Sequence, residues 1–98
     1  MAFTYIIHSN KLNRFYIGAC HEDLNSRIDK HNTGHYGKTH FTSTTSDWKM
    51  YLDFECTNYP HAIRLERKIK SMKSKVYIQN LKKYPELREK IVKQTEIA

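Results

Sequence analysis

The sequence predicts a small α+β domain, a three-stranded antiparallel sheet flanked by helices in the order β-β-α-β-α-α. Three observations lead there. Two short runs of β-branched and aromatic residues, 3–7 and 14–20, stand on either side of a polar stretch, 8–13. A helical period follows the second run at once, over 24–31. After a third β-like run, 48–56, apolar residues recur at intervals of three and four, which places helices in the C-terminal part.

Each element has a local reason. Phe3-Thr4-Tyr5-Ile6-Ile7 is a strand by composition. The polar segment 8–13 is too short for a crossover, so the two runs pair as an antiparallel hairpin. Gly18 interrupts the second strand, and a glycine there marks a close approach of another backbone or a ligand. Asp23 is a helix N-cap, and Asn32-Thr33-Gly34 ends that helix, with Gly34 just past its last turn. At about 100° per residue, Leu24, Arg27, Ile28 and His31 share one face, so Arg27 and His31 border its apolar seam. Residues 32–47 form a long polar loop, a length that goes with function or mobility and where substrate choice is expected to sit. Pro60 opens a helix in its first turn, with Ala62, Leu65, Ile69, Met72 and Val76 as an apolar stripe. A short helix follows over 77–83. Pro85 starts a last helix that ends near Val92, and residues 93–98 are expected to fray. One domain therefore spans residues 1–92.

Ninety-eight residues can bury one modest core and leave no room for separate catalytic and recognition domains. The 17 Lys and Arg against 10 Asp and Glu give a net charge of +7, which favours a polyanionic partner, nucleic acid first. No segment pairs a long apolar face with a basic one, so a membrane surface is the weaker alternative. No apolar run reaches transmembrane length, and residues 1–7 lack the basic start of a signal peptide, so a cytoplasmic protein is expected. Cys20 and Cys56 are then expected as reduced thiols. Cys20, His21, His31, His35, His40 and Cys56 have no tight metal-pair spacing, which argues against a zinc site.

Five polar residues stand out. Glu66 lies in a densely basic helix, at the edge of the apolar stripe. It can pair with Lys70, four residues on, for roughly a few tenths of a kcal/mol. It can also hold Mg²⁺, which takes one or two carboxylates, keeps several waters and uses substrate phosphate oxygens for the rest. Tyr5 and Tyr16, on neighbouring strands, can pack with their hydroxyls at the rim. Alternatively, one phenol can activate or orient an attacking water, given nearby positive charge to bring its pKa down from about 10. Arg27 can be a surface arginine, or a fork on phosphate oxygens that offsets developing charge. His31 can be a hydrogen-bonded buried histidine, or a group that hands protons to either tyrosine. Two tyrosines, an arginine, a histidine and a carboxylate are the parts needed to hydrolyse a phosphodiester with one metal ion. Arg64, Lys68, Lys70, Lys73 and Lys75, with Lys38 in the loop, are the candidate DNA contacts, holding the backbone without reading sequence.

In this order and spacing the residues resemble the GIY-YIG nuclease superfamily. The resemblance is strongest to its short, stand-alone bacterial members related to the N-terminal nuclease module of the UvrC repair protein. Tyr16-Ile17-Gly18 is the second half of the family motif, and Phe3-Thr4-Tyr5 keeps only the tyrosine of the first half. The family's helix arginine falls on Arg27, and its histidine on His31, within His31-Asn32-Thr33-Gly34. Its aromatic-led strand falls on residues 48–55, and its metal-binding glutamate on Glu66, with Ile69-Lys70 behind it. The resemblance covers residues 3–83. It implies a DNA endonuclease with Mg²⁺ or Mn²⁺ on Glu66, leaving 5′-phosphate and 3′-hydroxyl ends, in repair, recombination or the processing of structured DNA. Ala19 stands where some relatives carry a lysine that assists the base, and His31 or Arg27 would take that part. Either tyrosine can be the base, with Tyr16 first and Tyr5 its close partner. The implied partners are DNA, structured or duplex, and a larger repair or recombination complex. The expected state is a monomer or weak dimer. Charge and aromatic content leave two other functions open. One is a non-catalytic basic nucleic-acid-binding module on the same fold. The other is a protein-interaction module that meets an acidic partner.

Overall fold

The computed structural model describes residues 2–21, 23–33 and 45–96. Strands β1 (Ala2–Ser9), β2 (Arg14–Cys20) and β3 (Lys49–Cys56) form one antiparallel sheet in the order β2-β1-β3. The described residues also form helices α1 (Leu24–Asn32), α2 (Tyr59–Met72), α3 (Lys75–Lys83) and α4 (Pro85–Glu96). This is the expected α+β class and element order. None of these helices is long and apolar enough to cross a membrane.

The central position of β1 explains its unbroken apolar run, since a strand buried on both faces has no polar side to show. Tyr5, Ile6 and Ile7 are all fully buried. Alternate residues of β1 feed two cores. Ile6, with Ile17 and Phe54 of the outer strands, packs on Leu65 and Ile69 of α2, Leu81 of α3 and Ile91 of α4. Tyr5 and Ile7 join Cys20 and Trp48, with Leu24 and Ile28 of α1 against them. In register, Tyr5 lies opposite Gly18 on β2 and Asp53 on β3. The Asp23 carboxylate accepts the Ser26 N–H at 3.2 Å and so starts α1 as its N-cap. Cys20 and Cys56 are both buried and are not joined to each other as a disulfide, and burial raises the Cys56 thiol pKa.

Several boundaries differ from expectation, each for a visible reason. β1 extends to Ser9, whose hydroxyl donates to the Asp47 carboxylate at 2.6 Å, while the Lys11 N–H donates to the same carboxylate at 2.9 Å. These bonds hold the Asp47 pKa down to about 2, from an ordinary 3.8. Trp48 falls outside β3 because a side chain takes its backbone. Its N–H donates to Asn32 Oδ1 at 2.7 Å, and its C=O accepts from Asn32 Nδ2 at 3.0 Å. The apolar stripe expected through Met72 and Val76 stops short, and both residues are exposed, at 42% and 63%. Lys73 turns left-handed, with φ 48°, to end α2, and Ser74 accepts the Tyr77 N–H at 3.1 Å to start α3 two residues early. α4 runs on to Glu96, beyond the end expected near Val92. Thr95 is buried and donates back to the Ile91 carbonyl at 2.8 Å, so the last turn is packed and not frayed.

Candidate active site

α1 crosses the sheet face that Tyr5 points to, and its one-turn spacing of Arg27 and His31 brings both side chains onto that tyrosine. His31 is 1% exposed, and its Nε2 lies 2.8 Å from the Tyr5 hydroxyl. The Arg27 Nε–H donates to the same hydroxyl oxygen at 3.4 Å, and Nη2 donates to the Ala19 carbonyl at 3.5 Å. Arginine has donors only, so the Tyr5 oxygen accepts from Arg27, and its proton is available to His31 when Nε2 is unprotonated. Three polar side chains from β1 and α1 thus meet inside a largely apolar cluster.

Gly18 makes room for this arrangement. A Cβ built at position 18 would overlap the Tyr5 hydroxyl and stand 2.5 Å from its Cζ and 2.9 Å from its Cε1. The close approach expected at this glycine is therefore the cross-strand tyrosine ring.

Tyr16 lies on the same face of β2 as Gly18, and its ring centroid is 4.9 Å from that of His31. β2 is an outer strand, so Tyr16 is only half-buried. From the open side Lys70 stands 5.8 Å from the Tyr16 ring centroid. Lys70 also pairs with Glu66 at 3.3 Å, the bland pairing that its i,i+4 spacing allows. Glu66 keeps 18% of its side chain exposed and Lys70 49%. Four of the five residues picked from the sequence therefore meet, Arg27–Tyr5–His31 in the interior with Tyr16 next to them, and Glu66 is reached from Tyr16 only through Lys70 at the rim.

The other basic candidates divide. Lys73 and Lys75 line a groove beside Arg14 and Phe15, at the start of β2. Arg64 turns the other way, donating to the Thr95 and Glu96 carbonyls at 2.7 and 3.0 Å, and so closes the C-terminal end of α4. Lys68 borders a small cavity among α2, α3 and α4 with Tyr77 and Lys90. Lys38 and most of the loop around it lie outside the described residues. Sequence reasoning missed Asn32, whose amide fixes α1 to the start of β3 next to His31. It also missed His21, which stacks on Tyr59 at 3.9 Å and ties the end of β2 to α2. The only sequence signal for either was its place beside an element end.

The donor set can be tested against a metal. Among the described residues, no three His, Cys, Asp or Glu side chains gather as a cluster. One carboxylate, brought to the Tyr16 side through Lys70, does not suit a structural zinc site with four protein ligands. It does suit Mg²⁺ or Mn²⁺, which lean on water and substrate phosphate oxygens.

A family model, the GIY-YIG catalytic domain, matches residues 1–84. The chain belongs to the GIY-YIG family. It therefore carries a nuclease-family fold, and the match spans both tyrosine-bearing strands, β1 and β2. No curated protein and no solved structure matches the chain. The GIY-YIG match ends at residue 84, and α4 begins at Pro85, so the bonds from Arg64 to the Thr95 and Glu96 carbonyls join the matched domain to a helix outside the match.

Proposed function

We propose that this GIY-YIG protein is a divalent-metal-dependent DNA endonuclease that acts on structured DNA in repair, recombination or DNA processing. Within the family we place it with the short, stand-alone bacterial members related to the UvrC nuclease module. The observation behind this reading is the fully buried Tyr5 hydroxyl, flanked by Arg27 and His31. A position needing only bulk would be filled by phenylalanine, because a buried hydroxyl costs about 1–3 kcal/mol unless its partners are supplied.

Tyr16 is the general base and Tyr5 its buried support. Exposure favours this order, since Tyr16 is half-buried on an outer strand and Tyr5 is enclosed. A Tyr16 phenolate needs positive charge nearby, and Lys70 stands 5.8 Å from its ring centroid. The phenolate takes a proton from water, the water oxygen bonds to phosphorus, the P–O3′ bond breaks, and the departing O3′ takes a proton from solvent water, which leaves a 5′-phosphate and a 3′-hydroxyl. Arg27 offsets the charge gathering on the phosphoryl oxygens. His31 holds the Tyr5 hydroxyl, and with it the Arg27 guanidinium, in one geometry. Glu66 is the residue that would hold Mg²⁺ or Mn²⁺, which when bound supplies Lewis acidity toward the scissile phosphate. Lys70, Lys73 and Lys75, with Lys68 and Lys38, contact phosphates without reading sequence, whereas Arg64 is committed to the Thr95 and Glu96 carbonyls. The chain acts as a monomer or weak dimer, alone or within a larger repair or recombination complex. One site per chain nicks one strand. Two cysteines with no disulfide between them fit a cytoplasmic setting.

The test is a cleavage assay with Mg²⁺ and with Mn²⁺ on single-stranded, duplex, flap and branched DNA, comparing wild type with Glu66→Ala. Cleavage by wild type should fall by at least about 10²-fold in the variant. Salt-sensitive binding by wild type without cleavage of any substrate would instead identify a basic nucleic-acid-binding module.

A further inference from the structure

The two faces of β2 end differently. Tyr16 turns toward α1. Its neighbour Phe15 turns the other way and lines a groove of about 330 Å³ with Arg14, Lys73, Ser74, Lys75 and Ile78. The groove lies between the start of β2 and the junction of α2 with α3. Three cations and no acid border it. Lys75 is partly engaged, donating to the Asn13 carbonyl at 2.9 Å. Arg14 and Lys73 make no side-chain hydrogen bond or ion pair among the described residues. Lys73 also sits in the left-handed backbone conformation that ends α2, a position where glycine or asparagine is the easier residue.

Phe15 is half-buried and belongs to a chain of rings across the end of the sheet. Its centroid is 4.7 Å from His8 and 4.8 Å from Tyr51, the latter edge to face at 72°. Lys82 stands 4.4 Å from the Tyr51 centroid. Half-buried rings with a basic rim are the physical pattern of single-strand binding: cations track the phosphates and a base stacks on an aromatic face. A duplex keeps its base faces covered by neighbouring pairs, whereas an unpaired strand can offer them.

We infer that this groove binds an unpaired DNA strand, with phosphates on Arg14 and Lys73 and a base against Phe15. The choice of DNA as the polyanion rests on the nuclease reading above. The spacing agrees with one strand serving both places. At about 3.4 Å per residue, Arg14 lies some 7 Å along β2 from Tyr16, and β2 is an outer strand, so a DNA strand can pass around its edge from one face to the other. Lys70, near the Tyr16 ring, lies in the last turn of α2, and Lys73, its C-cap, lines the groove, so cations occur at both places. A strand cut at Tyr16 would round the edge of β2 into the groove. The preferred substrate would then carry an unpaired segment next to the scissile bond.

The experiment is fluorescence anisotropy without divalent metal, using a labelled single-stranded oligonucleotide and a blunt duplex of equal length. Wild type is compared with the Arg14→Ala/Lys73→Ala double variant, Phe15→Leu and Phe15→Trp. The double variant should bind the single strand at least tenfold more weakly, and its slope of log K against log salt should flatten by about 1.4. Phe15→Leu keeps an apolar side chain over the core and should weaken single-strand binding at least fivefold with the slope unchanged, and Phe15→Trp should restore it. Wild-type affinity and slope in the double variant, or equal losses on duplex and single strand, would overturn the inference. Because binding is measured without metal, the two proposals fail separately. A chain that cuts nothing yet shows these losses supports the groove and sinks the nuclease reading. A chain that cuts normally and binds through neither Arg14 nor Lys73 sinks the groove alone.

Discussion

Among the described residues, each face of the sheet buries one histidine to 1% exposure, and the two histidines have different company. On the α2–α4 face, His61 Nδ1 accepts the Thr57 N–H at 3.1 Å. Its Nε2 lies 3.1 Å from the Val92 carbonyl and 3.2 Å from the Thr95 hydroxyl. Those partners are main chain and a threonine, and together they fasten α4 to the start of α2. On the α1 face, His31 meets a tyrosine hydroxyl that also accepts from an arginine, and a second tyrosine stands beside it. The same ring with the same burial is a fastener in one place and part of a chain of titratable side chains in the other. Burial alone does not separate structural from chemical residues, whereas the chemistry of the partners does.

If that division is right, substitutions on the two faces should fail in different ways. The largest effect should come from Arg27→Ala, which removes the cation beside Tyr5 and lowers cleavage by on the order of 10²–10³-fold in a folded chain. Leu65→Ala, in the core of the other face, should cost about 2–5 kcal/mol in urea unfolding, while the folded fraction cuts at a near-wild-type rate. Gly18→Ala sharpens the comparison from within the α1 face. The added methyl must displace the Tyr5 ring, so about 1–3 kcal/mol of stability and much of the cleavage should go together. A variant that lost stability and kept its activity would detach Tyr5 from the chemistry.

The smallest effect lies at the loop base. The Asp47 pKa is lowered, so its carboxylate stabilises the fold above the ordinary carboxylate pKa of 3.8, and that contribution fades as the pH falls toward about 2. Melting temperatures of wild type and Asp47→Asn should therefore differ at pH 7 and converge between pH 4 and pH 2. Parallel curves would mean that the bonds to Ser9 and Lys11 carry no charge-dependent stability.

The α1 face was largely legible in the sequence because its residues sit at local, periodic spacings. Arg27 and His31 are one turn apart, Tyr5 and Tyr16 lie on strands joined by a short turn, and Gly18 punctuates the second strand. What escaped depends on contacts distant along the chain. Nothing near Trp48 announces that Asn32 will occupy its backbone groups, and nothing near Arg64 announces that it will close a helix ending some thirty residues later. The break after Met72 was visible as Ser74, a capping residue, but an apolar stripe that continued on paper through Val76 concealed it. The groove at Phe15 and Arg14 was hidden because it forms only when the start of β2 meets the α2–α3 junction.

The measurement that tests the division of the sheet most directly is single-turnover cleavage by Arg27→Ala and Leu65→Ala side by side, each rate divided by the folded fraction. The account predicts a normalised rate on the order of 10²–10³-fold below wild type for Arg27→Ala and close to wild type for Leu65→Ala. Equal normalised rates in the two variants would contradict it.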